Sequence, residues 1–98
     1  MTLQKDPEGS ERRTLHQLVH FTGRHVLEIG CGEGRLTWKY ARPAKQVVGI
    51  DLEADDLRVA SIDRPSDLAK KVLFARASGR DLPFPDGKFE IAILAWSL

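Results

Sequence analysis

The chain has 98 residues, which allows one domain at most, and a small one. Its 15 basic and 14 acidic residues leave a formal net charge of +1, so the charge balance gives no reason to expect nucleic acid or a membrane surface as partner. The single cysteine, Cys31, excludes an intramolecular disulfide, and the longest unbroken apolar run, Ile91 to Trp96, is far too short for a membrane span. Met1 to Glu8 carries no apolar signal core, and with no other address in the sequence the expected location is cytoplasmic.

In chain order, Asp6-Pro7-Glu8 predicts a helix start, with Asp6 as cap, Pro7 in the first turn and Glu8 at the positive end of the dipole. Leu15, Leu18 and Val19 share one face at helical spacing, and Gly23 is the expected stop, giving a helix over about residues 7–22. His25 to Gly30 reads as the first strand. Gly34 to Ala41 reads as a short helix with Leu36 and Tyr40 one turn apart and Pro43 beyond its end. Gln46 to Asp51 is the second strand. Ala54 to Asp63 is the next helix, with Leu57 and Ala60 on one side and Pro65 closing it. Ser66 is expected to cap a further short turn. Val72 to Ala75 is the third strand, residues 77–88 are loop, and Phe89 to Ala95 is the fourth strand.

Strands that alternate with helices, and that are apolar on both faces, predict an α/β fold with a parallel sheet covered by helical crossovers. The expected architecture is a three-layer, Rossmann-like sheet of order 3-2-1-4. Right-handed crossovers carry the chain from strand 1 out to strand 3, and the chain then returns to set strand 4 on the other side of strand 1. The crevice between strands 1 and 4 is the expected ligand site.

The segment that carries chemistry is Val26-Leu-Glu-Ile-Gly-Cys-Gly-Glu-Gly34, a strand that runs into a glycine turn and opens a helix. Such a turn lets a ligand lie against the main chain. Its glycines stand at 30, 32 and 34, with Arg35 next, so the G-x-G-x-x-G spacing that cradles a pyrophosphate is absent. Glu28 would repel a phosphate. It suits a ligand that carries a cation, and S-adenosylmethionine has an ammonium and a sulfonium with no phosphate.

Glu28-x-Gly30-x-Gly32-x-Gly34 resembles motif I of the class I S-adenosylmethionine-dependent methyltransferases. Val47 to Leu52 is similar to their second-strand motif, which ends in an acid, here Asp51. Asp81-Leu-Pro-Phe-Pro-Asp-Gly-Lys-Phe-Glu-Ile91 resembles the approach to their fourth strand in the small-molecule and quinone-type branch. The resemblance covers roughly residues 10–98 and implies roles residue by residue. Glu28 faces the amino group of the methionine part, directly or through water. Gly30, Cys31 and Gly32 lay backbone beside the ligand, and Gly34 completes the loop. Asp51 accepts from the ribose hydroxyls, and Leu52 packs on the adenine. Ser78 and Gly79 stand where the family often has Asp or Asn followed by Ala. Ser78 is therefore a departure, and the adenine contact passes to backbone or to Asp81. Ala95 and Trp96 lie near the methionine tail.

The implied function is methyl transfer from S-adenosylmethionine to a small-molecule acceptor, with S-adenosylhomocysteine as product and no catalytic base assignable. The family fold has a seven-stranded sheet, so residues 1–98 correspond to a partial domain whose cofactor-binding half runs over about 24–98. The rival is a catalytically incomplete cofactor-binding module or partner subunit. A nicotinamide-binding domain is disfavoured by the glycine spacing. Strand 4 would be left as an apolar sheet edge, which predicts self-association through it. Cys31 reads as a small turn residue rather than a nucleophile. His16 and His20 read as solvated helix residues rather than metal ligands, and the pairs Arg12-Arg13 and Lys70-Lys71 read as solvated charge.

Overall fold

The computed structural model describes residues 19–95. The helix expected over about residues 7–22 lies outside them except for its last residues, as do His16 and Trp96, and those last residues are not helical. Val19 to Phe21 run without regular structure into a turn at Thr22 and Gly23. Phe21 explains this. Its ring is buried and stacked on Tyr40 with centroids 4.7 Å apart, and the Arg24 N–H closes a turn onto its carbonyl at 3.0 Å. The segment is thereby committed to feeding the first strand rather than finishing a helix.

Strands β1 (His25–Ile29), β2 (Gln46–Asp51), β3 (Val72–Arg76) and β4 (Ile91–Leu94) form one parallel sheet of order β3-β2-β1-β4. This is the expected topology. Helix α1 (Thr37–Tyr40) links β1 to β2, and helix α2 (Ala54–Asp63) with a 3-10 turn (Ser66–Leu68) links β2 to β3. Two right-handed crossovers in the same direction place α1 and α2 on the same face of the sheet. Arg64, before Pro65, is extended at φ −56° and ψ 123°, which stops α2 where the proline requires. Ser66 makes no side-chain cap. Pro65 is the residue that precedes the 3-10 turn.

Two expected elements are shorter than the sequence pattern indicates. The run Gly34 to Ala41 holds only the one helical turn of α1, because Gly34 sits at φ +88° and cannot join a right-handed helix. The run Phe89 to Ala95 keeps only Ile91–Leu94 as strand. Phe89 meets Phe84 edge-on at 5.1 Å and packs with it over Leu27, Val48 and Ile50. Glu90 instead fastens the start of β4 to β1. Its carboxylate accepts the His25 N–H at 3.0 Å, its own N–H donates to the His25 carbonyl at 2.9 Å, and Arg24 lies 3.3 Å from its other oxygen. The backbone N–H of His25, followed by the His25 ring, holds the Glu90 carboxyl below its ordinary range.

Strand alternation sorts the side chains into rows across the sheet. On the α1 face, Val72, Val47, Val26 and Ile91 share one row, and Phe74, Gly49, Glu28 and Ile93 share the next. Together with Phe21, Tyr40, Ala41, Ala44 and Leu68 this face forms the larger core. On the opposite face the rows are Leu73-Val48-Leu27-Ala92 and Ala75-Ile50-Ile29-Leu94. Here Phe84 and Phe89 of the loop after β3 cover the centre, while Leu73, Ala92 and Leu94 are exposed. Full burial on both faces is therefore a property of the central strands β1 and β2. Each buried Val, Leu or Ile there contributes about 1.5–3 kcal/mol of apolar transfer.

Candidate functional site

The carboxyl ends of all four strands open onto one cleft of about 550 Å³. That is a size suited to a small organic ligand. Its walls are Ile29 and Gly30 after β1, Asp51, Leu52 and Glu53 after β2, Ala77 to Arg80 after β3, and Leu94 at the end of β4. The cleft lies where the strand order reverses around β1, at the switch point expected of an open parallel sheet.

The glycine turn is built by main-chain bonds. The N–H groups of Gly30 and Cys31 both donate to the Ile50 carbonyl, at 2.8 and 3.1 Å, and the Gly34 N–H donates to the Cys31 carbonyl at 3.0 Å. Gly32 and Gly34 take φ values of +55° and +88°, a region that a side chain at either position would strain. Asp51 ties this loop to the next one. Its Oδ2 accepts the Gly32 N–H at 2.8 Å and its Oδ1 accepts the Glu53 N–H at 2.9 Å. One carboxylate thus orders both walls of the cleft and places its charge between them.

Glu28 is on the other side of β1. Strand alternation turns Ile29 into the cleft and Glu28 toward α1, where it is fully buried. Its Oε1 accepts from the Thr37 hydroxyl at 2.7 Å and from the Tyr40 hydroxyl at 2.6 Å. Its Oε2 is buried and has no hydrogen-bond partner among the described residues. Burial pushes the Glu28 carboxyl up to about 7, against the downward pull of the Tyr40 and Thr37 hydroxyls. A carboxyl raised in the folded state favours folding while protonated, so its contribution is complete below about 4.5 and is lost as pH rises through about 7. Glu28→Gln keeps an acceptor for both hydroxyls and removes the charge. We expect it to exceed the wild type in stability at pH 8 by on the order of 2–3 kcal/mol and to match it near pH 4.5. Urea unfolding at the two pH values measures this, and equal stability at pH 8 would contradict it.

The cleft brings together Gly30, Asp51, Leu52, Ser78 and Gly79 of the residues singled out from sequence. Cys31, Gly32 and Gly34 shape the loop without lining the cleft. The Cys31 thiol is buried beside Gly49 and is raised to about 12 by burial, then by Glu28 and Asp51, which leaves it inert as a nucleophile. Asp81 is exposed and bonds through its N–H to the Ser78 carbonyl at 3.2 Å rather than entering the cleft. Ala95 donates its N–H to the Ile29 carbonyl at 2.8 Å, beyond the wall formed by Leu94. The Ser78 hydroxyl accepts the Arg80 N–H at 3.1 Å, which shapes the loop after β3. Ile29, Glu53, Ala77, Arg80 and Leu94 line the cleft without having been singled out. Their signal was position alone, since each stands at or just past the carboxyl end of a strand. No group of three metal-ligating side chains occurs among the described residues, and no helix there is long and apolar enough to cross a membrane.

A model of the methyltransferase domain family matches residues 26–98. The chain belongs to the class I S-adenosylmethionine-dependent methyltransferase family. It is 40% identical over 82 residues to the ubiquinone/menaquinone biosynthesis C-methyltransferase of Pseudomonas savastanoi, covering 79% of this chain and 32% of that protein. It is 33% identical over 91 residues to a ribosomal protein arginine N-methyltransferase of Schizosaccharomyces pombe, covering 91% of this chain and 17% of that protein. Its fold is similar to an S-adenosylmethionine-dependent methyltransferase of Mesorhizobium loti, with a TM-score of 0.67 and 26% identity over 82% of this chain and 37% of that one. The methyltransferase-family chain thus spans about a third or less of the length of these relatives. The cofactor of the family is S-adenosylmethionine. The residues present fit it: an acid stands at the end of β2, glycine backbone follows β1, and no phosphate-binding spacing competes.

Proposed function

We propose that this chain forms the S-adenosylmethionine-binding half of a methyltransferase acting on a small-molecule acceptor. The observation that carries the reading is Asp51, whose carboxylate joins the glycine turn to the β2–α2 loop at the mouth of the cleft. A carboxylate offers about four lone-pair sites. Asp51 can therefore keep both backbone partners and still accept from two vicinal ribose hydroxyls. Leu52, 58% exposed, offers an apolar surface to the adenine, and Ser78 and Gly79 line the same cleft. Glu28 meets the amino group from beneath the glycine turn. Support for that role is the buried, unpartnered Oε2. When bound, the cofactor supplies a methyl group on an already activated sulfonium, so the protein has chiefly to align donor and acceptor.

A small-molecule acceptor is favoured by the relative named for quinone biosynthesis, at 40% identity, over the one named for ribosomal protein arginine, at 33%. A cytoplasmic setting belongs to the same reading. It is favoured by the lone cysteine, which is buried and free. Calorimetry tests the cofactor assignment. S-adenosylhomocysteine should bind and NAD should not, because the pyrophosphate spacing is missing. Binding of NAD in preference to S-adenosylhomocysteine would overturn it.

Self-association through β4 is part of the proposal. Among the described residues no strand pairs with the outer side of Ile91–Leu94, and no proline or lysine lies within it. Ile93 packs on the larger core, whereas Ala92 is exposed, so Ala92→Lys is the change that charges the edge without emptying the core. In sedimentation at about 100 μM, within the range where exposed edges associate, the wild type should form dimers and Ala92→Lys should be monomeric. A monomeric wild type would refute the contact.

A further inference from the structure

Three buried polar groups on the α1 face have no place in the cleft: the Glu28 carboxyl and the hydroxyls of Thr37 and Tyr40. They form a closed set. Both hydroxyls donate to the same oxygen, Oε1, at 2.7 and 2.6 Å, and the other oxygen is left bare. Among the described residues Oε2 finds no hydrogen-bond partner. The neighbours of Glu28 in its row are Gly49 and Ile93, with Phe74 beyond Gly49. A bare carboxylate oxygen in such a setting is costly unless it holds a proton or a cation.

We propose that Thr37 and Tyr40 are positioning residues for the cofactor. By filling Oε1 they reserve Oε2 of Glu28 for either a proton or the ammonium of S-adenosylmethionine, so that loading the cofactor displaces a proton from Glu28. The proposal rests on the assignment of Glu28 to the amino group made above. The charges around Glu28 permit the exchange. On α1, Tyr40 is held well above its ordinary range by burial and by Glu28, so it stays a hydroxyl donor. The Cys31 thiol of the glycine turn, at about 12, is neutral. Asp51 at the end of β2 acts on the same thiol and carries negative charge, and Lys39 on α1 has an interaction of its own. Thr37 and Tyr40 belong to the turn of helix that leaves the glycine loop, so the loop that receives the ligand also sets the carboxyl that would neutralise it.

Affinity for S-adenosylhomocysteine, which carries the same amino group, should be measured by calorimetry from about pH 5.5 to 8.5, a span that brackets the carboxyl titration. In the wild type it should fall by up to about tenfold per pH unit below a midpoint near 7. Tyr40→Phe keeps the ring and removes one donor, and should move that midpoint upward by about one pH unit. Thr37→Val should do the same, Thr37→Ser should restore the wild-type midpoint, and Glu28→Gln should abolish the dependence. The ligand amino group titrates alike in every arm, so the differences between variants report Glu28. Repeating the titration in buffers of unequal ionisation enthalpy should show proton release near pH 6.5 in the wild type, half a unit below the midpoint, and none in Glu28→Gln. Loss of affinity in Tyr40→Phe that is uniform across pH would overturn the proposal and leave a structural role only. A pH-independent wild type would overturn it while leaving cofactor binding intact. Absence of binding at every pH would overturn the functional reading itself.

Discussion

Asp51→Ala should weaken S-adenosylhomocysteine binding by about 1–3 kcal/mol, roughly 5- to 150-fold in dissociation constant. Two losses combine. The ribose hydroxyls lose a charged acceptor, and the N–H groups of Gly32 and Glu53 lose the carboxylate that ties the two loops. Asp51→Asn separates them, because its side-chain oxygen still accepts one N–H while the charge is gone. We expect the asparagine variant to lie between wild type and alanine in affinity and close to wild type in melting temperature. Thermal unfolding and calorimetry on the same samples measure both. Equal affinity in the wild type and the alanine variant would remove Asp51 from the site.

Gly34→Ala is expected to be the most destabilising single change in the glycine turn. The backbone there is at φ +88°, and a Cβ would stand 2.5 Å from Cζ2 and 2.9 Å from Cε2 of Trp38. The left-handed conformation costs a side chain about 1–2 kcal/mol. Trp38 cannot swing away freely, since its ring packs edge-on against Phe74 at 5.8 Å, and overpacking of this kind costs about 1–3 kcal/mol. The sum, about 2–5 kcal/mol, corresponds to a fall in melting temperature on the order of 10–40 °C for a domain of this size. Gly32→Ala is the control. It has the same handedness of backbone, at φ +55°, but open space around the added carbon, so only the backbone cost applies. Identical melting temperatures for the two variants would show that Trp38 does not confine the turn.

The parts of the fold set by local pattern were legible. Gln46–Asp51 and Ala54–Asp63 have the bounds that their apolar patterns and the proline signal predict. Strand order followed from chirality and from the alternation of elements. What the pattern missed depended on contacts between distant segments. Phe21 is drawn onto Tyr40, and Val19 and His20 just before it are not helical. Phe89 looks like strand in a window of apolar residues, and instead folds over Leu27 with Phe84. The site was legible in the same measure. Gly30, Asp51, Leu52, Ser78 and Gly79 fall on the cleft because each stands just past the end of a strand. Glu28 was singled out for its charge, yet its position two residues before Gly30 puts it one strand residue away from the cleft-facing Ile29, and so on the opposite face. Its partners Thr37 and Tyr40 carried no signal, since a threonine and a tyrosine three apart on a helix are ordinary core residues until the carboxyl between them is seen.

The cleft at the carboxyl ends of the four strands is the proposed cofactor site. Backbone amide resonances followed during titration with S-adenosylhomocysteine test it most directly. The largest shifts are expected at Gly30, Gly32, Asp51, Leu52, Ser78 and Gly79, with residues at the amino ends of the strands, such as Gln46 and Val72, left unmoved. Shifts confined to residues outside the cleft, or none at saturating ligand, would contradict it.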